Sequence, residues 1–144
     1  MIPLNDALAW CVTIAFVVLA LWHFHMALRP GVGAGGAVPS IEGRPLFVPS
    51  AKATVAVGVV LLLFACLVAA TGGLFHVGVP SRFLTWSSFA LALGLLARAI
   101  GDFKYVGLFK RVRGSRFARL DTRVYSPLCL LLAIGVAWVA HSGI

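Results

Sequence analysis

Acidic residues are scarce in this chain. Asp6, Glu42, Asp102 and Asp121 are the only four, and charged residues of both signs make up 11% of its 144 residues. Soluble globular domains carry about 25% charged residues, so a water-covered surface of the ordinary kind is excluded. Disorder is excluded as well, because it requires low hydrophobicity and 61% of these residues are hydrophobic. Cysteine is limited to Cys11, Cys66 and Cys129. All three sit in apolar stretches without a CxxC pair, which leaves no basis for a disulfide framework or a thioredoxin-like motif. Each reads as a small buried hydrophobe. Strict apolar/polar alternation is also missing, which excludes a membrane β-barrel.

What the chain does have is four long apolar segments. Residues 7–28, 53–81 and 124–144 contain no Asp, Glu, Lys or Arg, and 83–97 is equally free of them. The third segment reaches full length only by taking in Arg98 and the residues just after it. About 20 helical residues cross a hydrocarbon core of roughly 30 Å. The pattern predicts an all-α integral membrane four-helix bundle, one four-span domain over 1–144. Its helices are expected at about 7–28, 52–71, 83–101 and 122–142. The first segment lacks a basic n-region and exceeds the about 7–15 apolar residues of a signal peptide, so it reads as a retained helix.

Charge placement predicts the orientation. Arg29, Arg44 and Lys52 follow the first helix; Arg98, Lys104, Lys110, Arg111, Arg113, Arg116, Arg119 and Arg123 surround the connection after the third. That places eleven basic residues on one side and only Arg82 on the other. Basic loops stay in the cytoplasm, so both termini are expected on the outer side. Trp10, Trp86 and Trp138 near the outer boundary, and Trp22 near the inner one, fit an aromatic belt.

Few motifs carry chemistry. Gly31-Val32-Gly33-Ala34-Gly35-Gly36 matches GxGxxG in form only, since a dinucleotide fingerprint needs a strand before it and a helix after it. The stretch from Gly43 to Ser50 mixes apolar residues with prolines and is expected to fold back on the bundle or the interface. In the third connection Phe103, Tyr105, Val106, Leu108, Phe109, Val112, Phe117 and Leu120 alternate with basic residues, a mixture that suits the lipid headgroup layer and not nucleic acid.

The polar groups with chemical potential gather at the basic end. Arg98, Asp102 and Tyr105 are spaced i, i+4, i+7 and would share one helical face, with an Arg98–Asp102 pair natural at i, i+4. Asp121 leads into the fourth helix, as its cap or as part of a site. Tyr125 lies four residues on, and Cys129 one turn deeper. His23 and His25 end the first helix, but their i, i+2 spacing cannot chelate one metal unaided. His76 and His141 are the only pair on the outer side. No metal site and no cofactor are expected. Ionisable groups near membrane helices are functional candidates by default, which makes His23, Arg98, Asp102, Tyr105, Asp121, Tyr125 and Cys129 the ligand-binding candidates.

Three stretches carry a family resemblance: Gly43-Arg-Pro-Leu-Phe47, Arg98-Ala-Ile-Gly-Asp-Phe-Lys-Tyr-Val-Gly-Leu-Phe-Lys110, and Phe117-Ala-Arg-Leu-Asp-Thr-Arg-Val-Tyr-Ser-Pro-Leu-Cys129. Together they resemble a family of small four-helix bacterial membrane proteins catalogued as domain of unknown function 3995. The resemblance implies a four-span bacterial membrane protein and supplies no activity; the expected location is the inner membrane.

From the residues, the expected role is a binding or accessory protein with a polar ligand or lipid-headgroup site at the cytoplasmic rim. Its expected partners are membrane lipids, and a second copy or another membrane subunit. A homo-oligomeric transporter or channel is one alternative, although no carboxylate lies mid-span. A membrane enzyme acting on a lipid or isoprenoid is the other, although no catalytic signature is present.

Overall fold

The computed structural model describes residues 3–29, 31, 36–41 and 44–142. Local chemistry sets where each helix begins and ends. Helix α1 (Leu4–Leu28) starts directly after Pro3. Helix α2 (Ala51–Thr71) is capped by Ser50, whose Oγ accepts the Ala53 N–H at 3.1 Å. Such a cap satisfies one of the unpaired N–H groups at a helix start. Helix α3 (Ser81–Ile100) follows Pro80 and stops at Gly101, where φ is +91°. Helix α4 (Arg116–Ser142) starts at Ser115, whose Oγ accepts the Ala118 N–H at 3.0 Å.

The four helices contain 25, 21, 20 and 27 residues. At 1.5 Å per residue each covers roughly 30 Å or more, and all four are long and apolar enough to cross a membrane. The side chains confirm the solvent. Ile14, Val18, Leu21, Val57, Leu63, Leu93, Leu131 and Ile134 point outward and are exposed. Helices apolar on every face belong in lipid or in a large core, and this chain is too short for the latter. The protein is an all-α, multi-pass membrane bundle.

Inside, the packing uses small residues. Ala9, Val12, Phe16, Ala65, Val68, Leu91, Ala92, Leu132, Val136 and Val139 form the core. Lipid tails are as apolar as leucine, so close van der Waals contact drives helix association, and small residues permit it. At Gly58 an added Cβ would fall 2.5 Å from Phe24 Cε1, and at Gly135 it would fall 2.7 Å from Val12 Cγ2.

Helices α1 and α2 pack as one hairpin and α3 and α4 as another; α1 against α4 and α2 against α3 join the two. Polar contacts identify the ends. Trp138 Nε1 donates to Asn5 Oδ1 at 3.2 Å where the termini lie. Thr71 and Ser88 share a hydroxyl hydrogen bond of 2.9 Å between α2 and α3 near the same end. At the opposite, basic end, the Tyr125 hydroxyl donates to the Gly36 carbonyl at 3.0 Å, tying the first connection to α4.

Three expectations need correction or limits. The fourth helix begins at Arg116 rather than near 122, so Asp121 is interior to a helix and not its cap. The first connection holds a two-stranded turn, β1 (Ser40–Ile41) against β2 (Arg44–Pro45), and Leu46, Phe47 and Val48 beyond it are exposed, which limits the expectation for this stretch to its interface alternative. Most of the GxGxxG match, and Gly43, lie outside the described residues.

Candidate functional site

The basic end is organised around Asp121. Its position depends on a break in α4: residues Asp121–Tyr125 form one π-helical turn, closed by the Ser126 N–H donating to the Asp121 carbonyl. Pro127 supplies the cause. It has no N–H to donate, and its ring crowds the carbonyl four residues back, which disrupts regular helix at that point. The wider turn changes the register of everything before it. Asp121 consequently faces inward, fully buried at 0% exposure, with Phe117 and Ala118 buried one turn earlier.

Three groups from two other parts of the chain converge on its carboxylate. Arg98 Nη2 donates to Oδ1 at 2.8 Å from the last turn of α3. The Gly107 N–H donates to Oδ2 at 2.7 Å, and Lys110 Nζ donates to Oδ2 at 2.9 Å, both from the connection between α3 and α4. The Lys110 side chain keeps only 1% exposure. Its other two protons go to the Gly107 carbonyl at 2.9 Å and the Thr122 hydroxyl at 2.7 Å. A buried ammonium survives when every proton is used and a counter-charge is adjacent. Both conditions hold here.

The connection is folded tightly enough to deliver those groups. The Leu108 N–H donates to the Ala99 carbonyl at 2.9 Å, so the chain doubles back over the end of α3. Gly101 and Gly107 allow it. Their φ values are +91° and +94°, and a Cβ on Gly101 would lie 1.8 Å from the Val106 carbonyl oxygen. Only a residue without a side chain fits such a crossing.

Asp102 has a different role from the expected one. It does not pair with Arg98. Helix α3 ends at Ile100 and Gly101 leaves helical space, so the i, i+4 face is never formed. Instead Asp102 Oδ1 accepts the N–H groups of Lys104, Tyr105 and Val106 at 2.9, 2.7 and 2.9 Å. These bonds favour the ionised form. The N–H of Val106 foremost, with that of Lys104, holds the exposed carboxyl below the usual carboxylate range.

The remaining candidates lie around this centre. Tyr105 gives its N–H to Asp102, and Lys104 Nζ lies 5.0 Å above its ring. Tyr125 is bonded to Gly36, and its ring lies 6.1 Å from that of Phe117. Cys129 is a free, half-buried thiol farther into the bundle on α4. His23 turns back on its own helix, Nδ1 donating to the Leu19 carbonyl at 2.7 Å. Among the described residues, no three His, Cys, Asp or Glu are placed to hold a metal ion.

Sequence reasoning missed Lys110, Gly107 and Thr122. Lys110 stands beside Arg111 and Arg113 in the chain, and nothing in that run marks one cation as buried. Ser126 was missed too. It is fully buried, and its Oγ has no hydrogen-bond partner; the same is true of Arg98 Nη1. Most buried polar atoms are paired, and exceptions call for an explanation.

Comparison with known proteins gives one match. A family model described as "Protein of unknown function (DUF3995)" matches residues 16–136, from the middle of α1 to the second half of α4. No curated protein and no solved structure matches the chain.

Proposed function

The chain belongs to the DUF3995 family of proteins of unknown function, a membership that brings no activity with it, and we propose that it is a binding or accessory protein of the bacterial inner membrane. In this reading the basic end faces the cytoplasm and holds an anionic group, such as a lipid headgroup or an acidic segment of a partner subunit. One observation carries the proposal: the buried cluster at that end contains two cations, Arg98 and Lys110, against one carboxylate, Asp121. The exposed cations Lys104, Arg111, Arg113, Arg116, Arg119 and Arg123 surround it. A cationic rim attracts anionic lipid, at about 1 kcal/mol for each Lys or Arg near the surface.

Transport and catalysis have less support. Asp121 lies at the end of the bundle rather than mid-span, and its oxygens are already occupied by Arg98, Gly107 and Lys110. His23 is bonded to its own helix rather than to Cys129. Mass spectrometry of the protein extracted gently from its native membrane tests the proposal. A stoichiometric anionic lipid or partner subunit is expected, and its loss is expected when Arg111, Arg113 and Arg116 are changed together to Gln. A protein that carries neither would overturn the reading.

A further inference from the structure

Two polar atoms beside Asp121 are buried without a partner: Nη1 of Arg98 and Oγ of Ser126. Both belong to residues bonded to Asp121, one through its carboxylate and one through its backbone carbonyl. Arg98 meets it from α3 through the other guanidinium nitrogen, at 2.8 Å. Ser126 lies one turn deeper on α4, joined to Asp121 through the backbone bond that closes the π turn. Leaving a buried donor unpaired is costly, and here two such atoms belong to residues bonded to Asp121.

Charge points the same way. The cluster has one positive charge in excess, and Arg98 lies in the last turn of α3, where the helix end contributes roughly half a negative charge. Roughly half a positive charge is left over. Asp121, with three donors already directed at it, has no further charge to give. The Arg98 side chain is still 35% exposed, so it lies at the boundary of the bundle although Nη1 itself is buried. A guanidinium N–H and a hydroxyl each suit a phosphate oxygen, which accepts charge-assisted bonds from arginine.

We propose that Arg98 Nη1 and Ser126 Oγ form a phosphate-binding site where α3 and α4 meet at Asp121. The proposal rests on the functional reading above and narrows it to two donors and one ligand chemistry. The phosphate comes from a lipid headgroup or from solution, and the rim side chains must part to admit it. Asp121 positions the guanidinium, leaving one nitrogen for the ligand.

Thermal unfolding of the whole protein in a neutral detergent tests this. The additions are phosphatidylglycerol, diacylglycerol, or inorganic phosphate against chloride at equal ionic strength. At about ten times Kd, a bound ligand should raise Tm by about 3–6 °C. The wild-type chain is expected to respond to a phosphate-bearing addition and not to diacylglycerol or chloride. A response to phosphatidylglycerol alone makes a lipid the source; a response to inorganic phosphate makes it soluble phosphate.

Two variants remove one donor each. Arg98→Lys keeps a cation for Asp121 but lacks the second nitrogen. Ser126→Ala removes only the unpaired hydroxyl, and its ligand-free Tm should equal or exceed that of the wild type. Both should lose most of the phosphate-dependent rise, while Arg123→Gln on the exposed rim keeps it. Equal responses in wild type, Arg98→Lys and Ser126→Ala would overturn this site while leaving a binding role for the rim. No response of the wild type to either phosphate source would overturn phosphate as the ligand, and the native co-purification then decides the broader reading separately.

Discussion

Asp121 gathers an arginine from one helix, a backbone N–H and a lysine from a connection, and holds them against another helix. Removing its carboxylate would leave two cations facing each other at the edge of lipid. Breaking a buried ion pair costs about 3–5 kcal/mol, so Asp121→Ala should lower stability by about that much. Arg113→Ala, exposed at the rim, should stay within about 0.5 kcal/mol. Denaturation midpoints in detergent compare the two, and equal midpoints would remove Asp121 from its central role. Asp102 titrates in a different way. Its carboxyl is held below the usual carboxylate range, chiefly by the Val106 N–H. The ionised form therefore stabilises the fold fully above the unfolded value of about 4. That contribution is lost as pH falls through the lower folded value. Acidification from pH 7 to pH 5 should leave the amides of residues 104–106 protected from hydrogen exchange. Asp102→Ala should speed their exchange at pH 7, and unchanged rates would show that the three bonds do not order the connection.

At the scale of elements, two local irregularities build the basic end. The π turn in α4 re-aims Asp121, and the crossing at Gly101 and Gly107 folds the connection over α3. The second is open to a clean comparison. Gly107 and Gly73 both have positive φ, but a Cβ on Gly107 would lie 2.3 Å from the Ile100 carbonyl oxygen, whereas one on Gly73 meets nothing within 4 Å. Gly73→Ala should cost only the conformational strain, on the order of 1 kcal/mol. Gly107→Ala adds a clash with backbone that cannot move aside, and should cost at least about 2–4 kcal/mol. Similar unfolding midpoints for the two would mean that the crossing is not held as described. Sequence pattern shows neither feature fully. Pro127 signals trouble in α4, but a cap and a widened turn are equally compatible with a proline near a helix start. The glycines mark turns without saying which backbone they cross.

At the scale of the molecule, the bundle places the first and third connections at one end, and the termini and the second connection at the other, and orientation in the membrane is a separate matter of charge. The eleven-to-one distribution of basic residues predicts that the connection around Ser115 faces the cytoplasm. A cysteine placed at position 115, in a chain whose three native cysteines are replaced by alanine, should resist a membrane-impermeant maleimide in intact cells. It should react once the membrane is opened. Labelling from outside would reverse the orientation and move the proposed site to the other face of the membrane.

Four spans, their approximate positions and the concentration of cations at one end follow from composition and run length alone, because in lipid a backbone must satisfy its own hydrogen bonds and a helix of about 20 apolar residues does so. Those are properties of consecutive residues, and they can be read without knowing what touches what. The partner of Arg98 is of another kind. Asp102, four residues away, is the near choice on a continuing helix, yet Asp121, on the far side of the connection, makes the bond. Lys110 likewise becomes the buried cation while its neighbours Arg111 and Arg113 stay exposed. Both outcomes depend on where α3 stops, how the connection crosses itself and how far the π turn rotates α4. Tertiary structure decides them because burial and pairing are set by distances between segments, which no run of residues contains.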